Sequence, residues 1–439
     1  MTHSFLIGID IGGTKIYGGL VTPTGEIIAT RRVPTPSDAN ARTIINTVKK
    51  TVKELIDKAD ISRQAILGIG IAVPGIVDNS GKVIVTPNIK LSGTPLQKIL
   101  EKEFKTKVAV GNDANLGLLG EKWIGAGRKT QNIVGIFPGT GIGGGVIVNG
   151  HFITGKDGAA AELGHVTIDT NGPLCSCGNP GCLEAFAGRW AIERDIRAEA
   201  KKGHKTMLTQ LAGKGLKQIK SGALAEALKA KDKVTINVMT NAAQMLAKSC
   251  VSLNHIFNPD MFLFGGGLIE ACGDFLLPII EITVKSDPFF SKLGPPKIVR
   301  AKLNDEAILL GAVALIRQKL NLKVNFSAYY PRIALTGGWK VSIKGKKPSG
   351  SFFIRADGKV KEPEEQLCAE LSERLTEEVC KKAPDVLFIA LSRGKKTKLS
   401  PKALRFLKKK RILPRRLPLA QAIKAYNTSE ERRAILFCV

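Results

Sequence analysis

No apolar segment of this sequence reaches the roughly 20 uninterrupted residues that a membrane-spanning helix requires, which argues against a helical span. The apolar opening, MTHSFLIGIDIGGTKIYGGLVT, is broken by Asp10 and Lys15 and has no basic segment ahead of it, so it does not read as a signal peptide. The eight cysteines lack the spacing of a disulfide framework. A reducing, cytoplasmic setting is expected. There is no G-x-x-x-x-G-K-[ST] phosphate loop and no repeat of solenoid period. Acids are scarce: 38 Asp and Glu face 66 Lys and Arg, for a net charge of +28. Residues 325–439 hold 26 of the cations against 11 of the acids, so +15 of the excess lies in the last quarter. Such a surplus attracts polyanions, polyphosphate or RNA, or is simply a solvated lysine-rich surface.

What is present is an ordinary globular composition, 44% apolar and 24% charged, with strand and helix patterns alternating. Phe5–Asp10 and Tyr17–Val21 read as strands about Gly12-Gly13, and residues 44–56 repeat with helical period. Ala65–Val73 is a strand closed by Pro74-Gly75, and Lys107–Val110 is a strand running into Gly111-Asn112-Asp113. A second unit follows, with helix Ala114–Ile124, strands Asn132–Phe137 and Gly145–Val148, helix Ile236–Phe257, strand Met261–Phe264 and helix Glu306–Leu320. The pattern is α/β. Composition shifts at Asn325, where a small α/β domain is predicted, with strands Arg332–Leu335, Lys340–Ile343, Ser351–Ile354 and Val386–Leu391. A helix carrying Leu367, Leu371, Leu375 and Val379 four apart, and another starting at Ser400-Pro401, complete it.

Three glycine clusters follow strands. In Asp10-Ile11-Gly12-Gly13-Thr14-Lys15 the glycines allow backbone amides to approach a phosphate, and Asp10 is placed to hold a magnesium-bound water. Gly139-Thr140-Gly141-Ile142-Gly143-Gly144-Gly145 repeats that chemistry about 125 residues further on. Either loop alone is equally well a tight hairpin. The second also satisfies the dinucleotide fingerprint, but that fingerprint opens a helix, whereas Gly145–Val148 continues as a strand. The third, Gly265-Gly266-Gly267, allows an adenine to lie against the backbone, or serves as a sharp strand-to-helix turn.

Asp113, at a strand end entering a helix, is a general base for a hydroxyl attacking a γ-phosphate or merely a helix cap. His165 with Cys175, Cys177 and Cys182 supplies three thiolates and one imidazole, enough to close the tetrahedral shell of a structural zinc. A disulfide or idle buried cysteines are the alternatives. Glu162 and Glu184 flank these residues, and a stiffened loop would hold both carboxylates toward a polyol.

Taken together these motifs resemble the ROK family of bacterial sugar kinases, repressors and open reading frames, across about residues 4–320. The resemblance implies a two-lobed, actin-like ATPase (ribonuclease H-like) fold with ATP and Mg2+ in the interlobe cleft. It implies lobes at 1–112 and 113–305, a closing helix at 306–320 and the extra domain at 325–439. It further implies Asp113 as base, and sugar contacts from Gly75, Asn112, Asp113, Glu162, His165 and Glu184. Nucleotide contacts would come from Asp10, Gly12, Gly13, Thr14, Lys15, Thr140, Gly141, Gly265 and Gly266. Ala161 departs from the glycine usual before Glu162, and Phe137-Pro138 is an uncommon lead-in to the second loop; both bear on sugar preference.

Hexose phosphorylation, with glucose O6 as acceptor, is the function so implied. N-acetylhexosamines and fructose are the alternative substrates, and homo-oligomers are common among relatives. The family's repressors are expected to place a helix-turn-helix ahead of the sugar domain, and the first phosphate loop at residue 10 leaves no room for one. The tail from about Arg332 is similar to a small α/β domain of adipogenesis-associated proteins and of a mitochondrial complex I assembly factor, which supplies no chemistry.

Overall fold

The computed structural model describes residues 4–36, 40–213 and 215–322. In the tail it describes 333–336, 340–343, 351–356, 359–363, 370–381, 384–391, 397–410, 412–429 and 433–438. Two compact units divide the chain, Met1–Asn321 and Leu322–Val439.

The first unit contains the same sheet twice. Strands β1 (Phe5–Ile11), β2 (Lys15–Val21) and β3 (Ile27–Pro34) form an antiparallel meander, and β4 (Ile66–Val73) adds in parallel to β1. A short hairpin, β5 (Ile76–Val77) with β6 (Val83–Val85), precedes β7 (Lys107–Asn112), which is parallel to β4. The order is β3-β2-β1-β4-β7. Strands β8 (Ile133–Pro138), β9 (Ile142–Val148), β10 (His151–Phe152), β11 (Met261–Phe264) and β12 (Lys297–Arg300) repeat it as β10-β9-β8-β11-β12, with the same parallel and antiparallel pairings. Both first strands are largely apolar, interrupted in β1 only by Asp10 near its end, and are buried from Leu6 to Ile11 and from Ile133 to Ile136, as strands covered on both faces must be. The duplication yields the two-lobed α/β fold that the resemblance implies.

Helix Ala307–Lys319 returns from the second sheet to the first. It lies on β1 and β4 and against helix Asp113–Ile124, and 8 of its 13 residues are buried. Glycines make this approach feasible: a Cβ at Gly70 would stand 1.8 Å from Ala312 O, and one at Gly311 would stand 1.7 Å from Leu116 O. No helix among the described residues is long and apolar enough to cross a membrane.

The tail unit has β13 (Ile333–Thr336) paired with β14 (Lys340–Ile343), and a sheet assembled from β15 (Phe352–Ile354), β16 (Val360–Lys361), β18 (Val386–Leu391), β20 (Leu413–Pro418) and β21 (Arg433–Cys438). A two-stranded pair joins β17 (Glu370–Leu371) to β19 (Lys398–Leu399). Phe352 stacks on Phe437 with ring centroids 4.3 Å apart in its core. The expected helix through Leu371 is corrected here. Leu371 is a buried strand residue, and Ser372 caps a shorter helix, Glu373–Val379, by accepting from Leu375 N. Leu367 lies outside the described residues.

Candidate active site

Two glycine turns and three aspartates, Asp10, Asp113 and Asp305, line one cavity of about 450 Å3 between the sheets. Asp10 reaches it from the end of β1, Gly139, Thr140 and Gly141 from the β8–β9 turn, and Gly265–Gly267 from the turn after β11. The β8–β9 connection is a hairpin, with Gly139 N donating to Gly141 O at 2.8 Å, so the dinucleotide reading is excluded by geometry as well as by pattern. Arg189 binds this hairpin from the following helix, its Nη2 donating to Thr140 Oγ1 at 2.9 Å. Gly266 sits at φ +83°, and a Cβ there would meet Pro138 O at 2.7 Å. The unusual Phe137-Pro138 pair is therefore the seat of the third glycine cluster.

The first loop contributes less backbone to the cavity than its sequence promised. Lys15 lines it, but Gly12, Gly13 and Thr14 form the β1–β2 turn outside the lining. Gly12 N donates to Lys15 O (2.9 Å), Gly12 O accepts from Thr35 Oγ1 (2.6 Å), and Thr14 O accepts from Thr35 N (3.0 Å). Lys15 Nζ pairs with Asp305 at 3.3 Å, and Arg32 pairs with the same Asp305 oxygen at 3.1 Å. Nothing in the local pattern marked Thr35, Arg32 or Asp305.

Asn112, not Asp113, is the helix cap: its Oδ1 accepts from Asn115 N at 2.9 Å while its Nδ2 donates to Gly75 O at 2.9 Å. Asp113 is the first helical residue, and its Oδ1 accepts from Ala114 N at 2.8 Å. Burial raises its carboxyl to about 6, opposed by that N–H and assisted by Glu162. Asp10 is raised to about 7, again by burial first and then by the nearby Asp113 charge, with Lys15 opposing. Two desolvated carboxylates facing one cavity form an arrangement that a cation and a proton acceptor both require.

Glu162 follows Ala161, whose φ of +64° is left-handed and strained for a residue with a Cβ. That geometry is the reason a glycine suits position 161. The Glu162 carboxyl is raised by burial, with His165 lowering it and Glu184 raising it, so these three groups share one electrostatic neighbourhood with Asp113. Glu184 is 8% exposed and accepts three hydrogen bonds: from Ile142 N (2.8 Å), Ser176 Oγ (3.1 Å) and Trp190 Nε1 (3.2 Å). It thus ties the second glycine loop to the cysteine loop. His165 Nδ1 lies 3.6 Å from Cys175 Sγ, and Cys177 Sγ lies 3.6 Å from Cys182 Sγ; all four ligand atoms fall within 4.8 Å of one another. A tetrahedral zinc with sulfurs at about 2.3 Å separates neighbouring ligands by about 3.8 Å, so the four residues fit a metal of that kind. The cysteines among the described residues are free.

The ROK family model matches residues 6–319. The chain is 36% identical over 317 residues to a glucokinase of Thermotoga maritima, covering 72% of this chain and 98% of that enzyme. It is 32% identical over 316 residues to a xylose repressor of Caldicellulosiruptor bescii, covering 71% of this chain but 77% of the repressor. Among solved structures it resembles a ROK glucokinase of Streptomyces griseus in complex with glucose and AMPPNP, with TM-score 0.62, 31% identity, and coverage of 72% of this chain and 100% of that one. The kinases match almost end to end, whereas nearly a quarter of the repressor lies outside the match. The chain belongs to the ROK family and is a sugar kinase of it.

Proposed function

We propose that the protein transfers the γ-phosphoryl group of ATP to a hexose hydroxyl, with glucose O6 as acceptor. The observation that carries this reading is Asp113, a buried carboxylate titrating near 6, at the N-terminus of a helix and in the same cavity as Asp10 and two of the glycine turns. The hydroxyl oxygen attacks the γ-phosphorus, the bond to the β-bridging oxygen breaks, and Asp113 takes the hydroxyl proton as the new P–O bond forms. Asn112 fixes Asp113 by capping its helix and holding the Gly75 turn. Glu162, His165 and Glu184 are the proposed polyol-side residues, and Thr140, Gly141, Gly265 and Gly266 the proposed nucleotide side, with Gly12, Gly13, Thr14 and Lys15 supporting it from the first loop. Mg2+ fits beside Asp10, whose buried carboxylate faces another carboxylate across the cavity; when bound it offsets charge on the phosphoryl oxygens. Zn2+ fits His165, Cys175, Cys177 and Cys182, and would stiffen the loop that Ser176 attaches to Glu184. The glucokinase relatives support glucose over the other hexoses. A coupled assay with ATP across glucose, fructose and N-acetylmannosamine tests the assignment; turnover confined to another sugar overturns it.

A second proposal concerns polyanion contact by the tail. Residues 386–429 contain 13 Lys and Arg and no acid. Lys402, Arg405, Lys408–Lys410, Arg415 and Arg416 are exposed there, while Lys395 lies outside the described residues. Binding of the full chain to polyphosphate or RNA that weakens steeply with salt, and that the exchange of these cations for glutamine removes, is the expected result. Self-association is a separate proposal, for which the exposed Phe289 and Leu293 of the first unit offer apolar surface, with light scattering as its check. A cytoplasmic setting accords with the free thiols.

A further inference from the structure

Glu121 is fully buried, and among the described residues no salt bridge involves it. Its oxygens are occupied by backbone. Oε1 accepts from Lys302 N and Leu303 N, both at 2.7 Å, and Oε2 accepts from Ala126 N at 2.6 Å. Burying a carboxylate is costly unless hydrogen bonds replace its water, and three N–H donors do so here. A Cβ at Gly125 would stand 2.1 Å from Oε2, so the absence of a side chain there is what leaves room for this carboxylate.

The bonds connect two parts of the cavity wall. Glu121 lies on helix Asp113–Ile124, two turns beyond Asp113. Lys302 and Leu303 stand between Ala301 and Asn304-Asp305, and Ala301, Asn304 and Asp305 all line the cavity. Asn304 turns the chain at φ +46°, after which Asp305 receives Lys15 at 3.3 Å and Arg32 at 3.1 Å. Glu121 itself does not line the cavity. We infer that Glu121 is a positioning residue: by clamping Lys302 and Leu303 to the helix that carries Asp113, it sets where Asp305 holds Lys15 and so fixes the nucleotide side of the cavity relative to the base. This rests on the kinase reading above.

The test is a double-mutant cycle in the full chain, read by steady-state kinetics and by calorimetric titration with ATP and, separately, with glucose. Glu121→Gln keeps the shape but presents an amide N–H to backbone donors. The expected outcome is a KM for ATP raised about tenfold, as for the loss of a hydrogen bond to a buried charge, with glucose affinity within about twofold of wild type. Because the effect runs through Asp305, adding Glu121→Gln to Asp305→Asn should raise the ATP KM by well under tenfold further. Unchanged ATP affinity in Glu121→Gln, equal losses for both substrates, or full additivity with Asp305→Asn each overturns the inference. If Glu121→Gln does not fold, Glu121→Asp, which keeps the charge but is too short to reach all three donors, carries the same measurements. Absence of ATP-dependent turnover in the wild type would instead sink the kinase reading itself.

Discussion

Asn112 joins the turn at Gly75 to the helix that begins at Asp113: its amide donates to Gly75 O at 2.9 Å while its oxygen accepts from Asn115 N at the same distance. Replacement by alanine loses both and should lower stability by about 1–2 kcal/mol, as for loss of a helix cap. Asn112→Asp keeps the cap but loses the donor and sets a second charge beside Asp113. We expect it to retain most of the stability and to raise the KM for sugar, which chemical denaturation and kinetics separate.

Asp113 must be ionised to accept a proton, and its carboxyl titrates near 6. The acid limb of kcat/KM should therefore fall about tenfold per pH unit below that value. Asp113→Asn should abolish turnover. Stability carries the opposite sign. The folded-state value lies above the unfolded value of 3.8, so the folded state loses stability as pH rises from about 4 to 6. Asp113→Asn escapes that loss and should melt at a higher temperature than wild type at pH 8, with the advantage gone at pH 4.

Ala161 holds φ +64° immediately before Glu162. Ala161→Gly removes the left-handed strain and should stabilise the protein by about 1 kcal/mol, measurable as a shift in denaturation midpoint. A loss of stability would show that the flexibility gained by the unfolded chain outweighs the strain relieved.

The ligand atoms of His165, Cys175, Cys177 and Cys182 lie within 4.8 Å of one another. Purified protein should carry about one zinc per chain by mass spectrometric metal analysis, and Cys177→Ser should lose it. Because Ser176 bonds Glu184, metal loss should raise the KM for sugar more than that for ATP.

Gly311 faces Leu116 across the two packed helices with 1.7 Å left for a Cβ. Gly311→Ala cannot be accommodated by a rotamer change, because the obstacle is backbone. A cost of about 3 kcal/mol or more is expected in denaturation.

The strands and glycine turns were readable because each depends on a few consecutive residues: apolar runs ending in Asp10, Asp113 or Gly265 identify a buried strand and the turn after it. The four candidate metal ligands were equally local, lying within a stretch of 18 residues. Leu371 was misassigned for the same reason, since its spacing from Leu375 and Val379 fits a helix, and only its pairing with Leu399 and the cap at Ser372 show otherwise.

By itself, then, the sequence determined which groups are available: two aspartates, three glycine turns, two glutamates and a four-ligand metal set. Tertiary structure alone decided how they are divided and connected. It made Asn112 the cap and released Asp113, spent Glu184 on three hydrogen bonds, withdrew Gly12 into its own turn, and brought Asp305 to Lys15 and Leu303 to Glu121. These are contacts between residues up to 290 apart, for which no local periodicity exists; they arise because two copies of one sheet pack through glycine-lined helices that leave a cavity between them.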